Sequence, residues 1–93
     1  MKDKREQLIL VLDAWDRLRE ELIEILEFEG YRAIGCGDGV TGLAQARQHL
    51  PDLIISEISL PKLNGYEVVE AVRADPELRN TAFMFLTSRS ERS

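Results

Sequence analysis

Residues 52–61 read DLIISEISLP. Leu53, Ile54 and Ile55 make a short apolar run, Glu57 arrives where the run should stop, and Leu60-Pro61 begins a loop. This is the pattern of a buried strand that delivers a carboxylate to its carboxyl-terminal end. A parallel sheet places its chemistry at that edge. Many strand-end carboxylates only start a solvated loop, so the meaning of Glu57 depends on the rest of the chain.

Upstream, LILVL at Leu8–Leu12 is a second unbroken apolar run, with a charged lead-in and Asp13 behind it. Runs of this kind are strands covered on both faces of a parallel sheet. Asp16 is placed to cap a helix reaching about Glu29, in which Leu18, Leu22, Ile25 and Leu26 share one face and Gly30 marks the stop. Ala33 to Cys36 is a weaker strand, ended by the GDG turn at 37–39. That turn lacks the spacing of a phosphate-binding loop. Asp38 or Thr41 starts a second helix that turns Leu43, Ala46 and Leu50 inward, and Pro51 closes it.

Downstream, the PKLNG loop leads through Asn64, a helix cap, into a third helix running to about Ala74. Val68, Val69 and Val72 form its apolar stripe and Asp75-Pro76 its stop. After a polar stretch, Phe83 to Leu86 reads as a fourth strand, and the tail SRSERS is polar without period. Strands alternating with helices over short connections predict an α/β domain with a parallel sheet. The carboxyl ends of its strands would gather Asp13, Glu57 and Thr87, with Ala14 beside the first.

Composition narrows the function. A chain of 93 residues is one domain, residues 1–93. Seventeen acidic residues against twelve basic ones give a net charge of -5, which argues against nucleic acid as a partner, because phosphate binding needs a concentrated basic face. Arg89 and Arg92 are too few to reverse that sign. No apolar run approaches the roughly 18 residues of a membrane span, and the charged start MKDKREQ is no secretory leader. A cytoplasmic protein without a membrane partner is the expectation. Cys36 is the one cysteine, so neither an intramolecular disulfide nor a thiolate cluster is available. It reads as a small apolar strand residue, and His49 as a helix-end surface residue.

Taken together, LILVLD, EILEFEGY, GDGVTGLAQARQHLPDLIIS, LPKLNGYEVVEAVRADPELR and FLTS, in that order, resemble the receiver domain of two-component response regulators over nearly the whole chain. The resemblance implies a flavodoxin-like, doubly wound parallel sheet of strand order 2-1-3-4-5, here reduced to about four strands in order 2-1-3-4 and three helices. In that family an Asp ending the third strand accepts a phosphoryl group from a histidine kinase. Two acidic residues after the first strand help bind Mg²⁺. A Ser or Thr after the fourth strand contacts the phosphoryl group, and a Lys after the fifth supports it.

Carried over position by position, the pattern is broken. Asp13 holds the first acidic position, but Ala14 holds the second, where a metal ligand is expected. Glu57 stands at the phosphoacceptor position, Ser59 offers only a backbone carbonyl, and Thr87 matches the hydroxyl. The chain stops at Ser93, before the family's closing helix, strand and helix, so the Lys is lacking too. Mg²⁺ requires several hard oxygen ligands in near-octahedral array. A Glu carboxylate also reaches about 1.5 Å beyond that of an Asp, and phosphoryl transfer depends on positioning.

The expectation is therefore a degenerate receiver: not an enzyme, without a cofactor, binding Mg²⁺ weakly or not at all, and acting as a protein-interaction module. Its partners would be a histidine kinase, an output domain or a second copy of itself. Two other readings stand beside it, a receiver scaffold used for self-assembly and a receiver phosphorylated by an unusual route. Glu57 either stands in for a phosphorylated Asp or merely fills a decayed site, and the smaller charge of a Glu favours the second. Trp15 is either a lid or partner contact, or a cover for apolar surface left by Ala14. A homodimer or higher oligomer is expected, with Trp15, Ile23, Phe83, Met84 and Phe85 as candidate interface residues.

Overall fold

Each apolar run becomes a strand, and the strands lie in one parallel sheet. The computed structural model describes residues 3–86. It places β1 at Leu8–Leu12, α1 at Asp16–Phe28, β2 at Arg32–Cys36 and α2 at Gly39–His49. β3 at Leu53–Glu57, α3 at Gly65–Ala74 and β4 at Ala82–Leu86 follow. The sheet order is β2-β1-β3-β4, the order the resemblance implies.

Register divides the sheet into two faces. Leu10 lies opposite Ile34 on one side and Ile54 on the other, and Ile54 lies opposite Phe83. This row meets α2 and α3, where Leu43, Ala46, Val68 and Val72 complete the core. All five residues of β1 are buried, as expected of a central strand. On the other face, α1 packs over β2 and β1. Ile55 and Met84 share this second face. No described helix is centred over them there, and Met84 is 52% exposed.

Several local expectations are corrected. Asp16 does not cap α1. Trp15 holds the cap position without a side-chain bond, and the Asp16 carboxylate instead accepts from Arg19 Nη2 at 2.8 Å. Leu50 does not turn inward. It ends α2 in the left-handed conformation (φ 50°) and is half exposed. Ile25 also leaves the covered stripe of α1 for solvent. The stretch after α3, polar in composition, carries Leu78, which is fully buried in the core. Asp38 and Asn64 do cap α2 and α3, and Asn64 forms a reciprocal pair with Glu67. At the amino-terminal side, Asp3 caps a single 3-10 turn, Lys4–Glu6, that the sequence did not announce.

Candidate functional site

The site is built where β1 and β3 end side by side. Leu12 lies opposite Ser56, so the next residues, Asp13 and Glu57, stand level at the carboxyl edge. Asp13 is 1% exposed. Its Oδ1 accepts the Trp15 N–H at 2.9 Å, while Oδ2 is buried with no hydrogen-bond partner among the described residues. An unsatisfied buried carboxylate oxygen is costly, and such atoms concentrate at functional positions.

The main chain of Asp13 is held from two sides. Its N–H donates to the Cys36 carbonyl at 3.1 Å, and its carbonyl accepts from Arg19 Nη1 at 2.6 Å. Arg19 reaches this point by crossing the end of β2. A Cβ on Gly35 would lie 2.9 Å from Arg19 Cδ, and one on Gly37 would lie 3.2 Å from Nη1. The two glycines flanking Cys36 thus leave room for the side chain. Arg19 fastens the β1–α1 turn, donating to the Asp13 carbonyl and to the Asp16 carboxylate and not to the Asp13 carboxylate. Sequence reasoning missed this residue. Its signal was a charged side chain beside Leu18, Leu22 and Ile23, facing a strand that contains Gly35.

Glu57 is half-buried, and its carboxylate has no hydrogen bond or ion pair among the described residues. Its carbonyl accepts from Ser56 Oγ at 2.9 Å. Gly65 approaches that same carbonyl more closely than any Cβ would allow, which lets α3 start directly beside the strand end. The intervening loop is anchored to the start of α2. Gly39 N–H donates to the Pro61 carbonyl at 3.1 Å, and Lys62 Nζ lies 4.0 Å from Asp38 Oδ2. Thr41 donates its N–H to Asp38 and holds that carboxyl below its ordinary range. Ser59 is exposed in this loop.

The donor set at this edge is one carboxylate short of the pattern the resemblance implies. Asp13 and Glu57 are the carboxylates at the edge, Ala14 presents a methyl group, and no group of three potential ligands forms among the described residues. Mg²⁺ is usually held by one or two carboxylates with waters completing its octahedron, so the methyl of Ala14 weakens the edge as a cation site by one donor. Thr87 lies outside the described residues. Trp15 is 69% exposed, and its ring borders a shallow cleft with Arg17, Leu18 and Glu21 rather than covering the site. Burial pushes the Cys36 thiol up, away from the reactive thiolate.

The candidate interface residues separate. Ile23 is half-buried over β2, where a Cβ on Gly35 would come within 2.7 Å of its Cδ1, so it faces the sheet and not a partner. Phe83 packs against the core, and Phe85 continues outward from it, with ring centroids 5.3 Å apart. Tyr66 of α3 meets Phe85 at 5.2 Å. Met84 projects to the opposite face, toward solvent.

Residues 9–93 match the family described as the response regulator receiver domain. The polar-differentiation response regulator DivK of Brucella anthropi is 37% identical over 65 residues, covering 70% of this chain and 53% of that protein. The DNA-binding response regulator MtrA of Mycobacterium tuberculosis is 38% identical over 73 residues, covering 78% of this chain and 32% of that protein. The chain thus spans about half the length of one relative and a third of the other. Among solved structures, the chemotaxis response regulator CheY4 of Vibrio cholerae matches with a TM-score of 0.86 and 29% identity, over 91% of this chain and 71% of that one. A response regulator receiver protein from Methanoculleus marisnigri gives 0.85 and 28%, over 90% and 68%.

Proposed function

Because the chain belongs to the response-regulator receiver family of two-component signalling, we propose that it is a receiver that no longer takes up phosphate and works by binding other proteins. The observation that carries this reading is the pair of substitutions at the carboxyl edge. Ala14 stands where a metal ligand is expected and Glu57 where the acceptor is expected, beside an Asp13 whose carboxylate meets no cation among the described residues. Without a bound metal, charge building on phosphoryl oxygens would go unneutralised. Glu57, with its extra methylene, would also meet the donor off line. In this reading Glu57 fills the vacated acceptor position and does not imitate a phosphorylated one, since no described cation faces it.

The test is direct. Incubation with acetyl phosphate and Mg²⁺ is expected to leave the intact mass unchanged. Addition of one phosphoryl group, mapped to Asp13 or Glu57, would overturn the reading.

Receiver domains interact with histidine kinases and output domains, and this chain is proposed to keep such protein contacts while losing the switch. One partner is a second copy of the chain. The partly exposed Met84 and Phe85 on β4 support that assignment. No described helix is long and apolar enough to cross a membrane.

A further inference from the structure

Asn64 and Gly65 join the β3–α3 loop to α3, and the pair is chemically labile. The carboxamide of an asparagine is open to attack by the main-chain nitrogen of the next residue, most of all when that residue is glycine and puts no side chain in the way. Here the glycine cannot be exchanged for a safer residue. A Cβ at position 65 would collide with the Glu57 carbonyl oxygen and lie 3.1 Å from both Ile58 Cα and Phe85 Cε1. The packing that starts α3 beside the end of β3 therefore keeps a reactive pair in the chain.

The fold restrains that pair in three ways. The Gly65 N–H donates to the Ile58 carbonyl at 2.8 Å, so the attacking nitrogen holds its proton. The Asn64 carboxamide oxygen accepts from the Glu67 N–H at 2.9 Å, and Glu67 Oε1 accepts from the Asn64 N–H at 2.9 Å, which turns the side chain toward α3. Ring closure also requires Asn64 Cβ to eclipse the Gly65 nitrogen, and the extended Asn64 backbone, with ψ 173°, holds the two staggered. Asp38 and Gly39 at the start of α2 are restrained alike, by the Thr41 N–H and by the Pro61 carbonyl. Asp38 is the less reactive of the two, because an ionised carboxylate is a poor electrophile and the Asn64 amide is neutral.

We propose that Asn64 is a deamidation site, closed by the α3 cap and opened when the β3–α3 loop loosens, with water as co-reactant. The Gly65 nitrogen bonds to Asn64 Cγ, the Cγ–Nδ2 bond breaks, and the proton of that nitrogen leaves with the amide as ammonia. Water then opens the five-membered imide. Cleavage at Cγ gives aspartate at position 64, and cleavage at the main-chain carbonyl gives isoaspartate. Aspartate caps a helix as well as asparagine does, so the first product refolds. Isoaspartate adds a main-chain carbon beside Gly65, where even a Cβ has no space, so the second does not. The loop is also the place where opening is easiest. Ser59, Pro61, Lys62 and Asn64 are exposed, and Lys62 sits at φ 74°, a strained conformation for a residue other than glycine. Local openings of this kind cost less than global unfolding.

The test compares the folded 93-residue chain with the same chain unfolded in guanidinium chloride, both at one mildly alkaline pH. Conversion is read from intact mass, from peptide mapping and from enzymatic methylation of isoaspartate. Asn64 and Asn80 are the two asparagines of the chain, so mapping assigns the position directly. The unfolded chain is expected to convert at Asn64. The folded chain should convert at least tenfold more slowly, a factor that an opening cost of about 1.4 kcal/mol supplies. Glu67→Ala frees the Asn64 N–H and leaves Gly65 in place. Still folded by circular dichroism, it should convert several-fold faster than the folded parent, with the unfolded rate unchanged. Equal rates in the folded and unfolded parent, or no acceleration in folded Glu67→Ala, would overturn the cap as the gate. An unfolded chain that keeps its Asn64 amide would overturn the site itself.

Discussion

Asp13 and Glu57 end adjacent strands, yet their surroundings differ sharply. Asp13 is sealed, with one carboxylate oxygen bonded to the main chain and the other unpaired, whereas Glu57 is half open. A sealed, half-satisfied carboxylate suits a site whose remaining ligands have been replaced. Restoring the donors should therefore restore cation binding. Ala14→Asp combined with Glu57→Asp is expected to raise Mg²⁺ affinity at least tenfold, about 1.4 kcal/mol. Trp15, next to Ala14 and largely exposed, reports binding through its fluorescence. No saturable change in the double variant would mean that the edge geometry, and not only the ligand types, has been lost. Asp13, Ala14 and Glu57 were all legible from sequence because they sit at strand ends and match a motif. Arg19 was not, because its role depends on space left by Gly35 and Gly37, which only the register of β1 and β2 brings beneath it.

The helices owe their ends to side chains that act differently with pH. Thr41 N–H is the main cause holding the Asp38 carboxyl below its usual value, helped by the Thr41 hydroxyl and Lys62 and opposed by desolvation. Asp75, which ends α3, is held down chiefly by the Glu77 N–H and then by Arg47. A depressed folded-state value means that each group stabilises the fold above the unfolded carboxyl value of about 3.9. That contribution disappears as pH falls through the lower, folded value. Asp38→Asn keeps an efficient cap but cannot titrate. Its urea midpoint should match that of the parent at neutral pH, and it should fall less between about pH 5 and pH 2. An unchanged acid limb would remove Asp38 from the account. Leu78 belongs to the same scale. Fully buried beneath a connection of otherwise polar residues, it should cost about 2–5 kcal/mol when changed to Ala, as read from urea unfolding. Periodicity could not find it, since a lone apolar residue in a short connection has no period. The strands and caps, by contrast, were legible because runs such as LILVL and the Asn64/Glu67 pair carry local signals.

For the molecule as a whole, strand order was legible only through the family resemblance, because apolar runs do not say which run lies beside which. The observed order puts the first strand made in the middle of the sheet, with β2 on one side and β3 on the other. Ile9 must wait for Leu53, and the nearby Leu8–Asp52 contact spans 44 residues of chain. On a ribosome adding about 5–20 residues per second, that interval lasts roughly 2–9 s. Throughout it, LILVL emerges uncharged and unpaired on its β3 side, the type of segment that seeds aggregation. The charged Lys4, Arg5 and Glu6 immediately ahead of it act as gatekeepers during this window. In stalled nascent chains of increasing length, β1 is expected to remain open to protease until β3 has cleared the exit tunnel. Earlier protection would mean that β2 and α1 alone shelter the strand. Placing the earliest strand at the centre thus makes synthesis, and not the finished fold, the stage at which this chain is most exposed to chaperones.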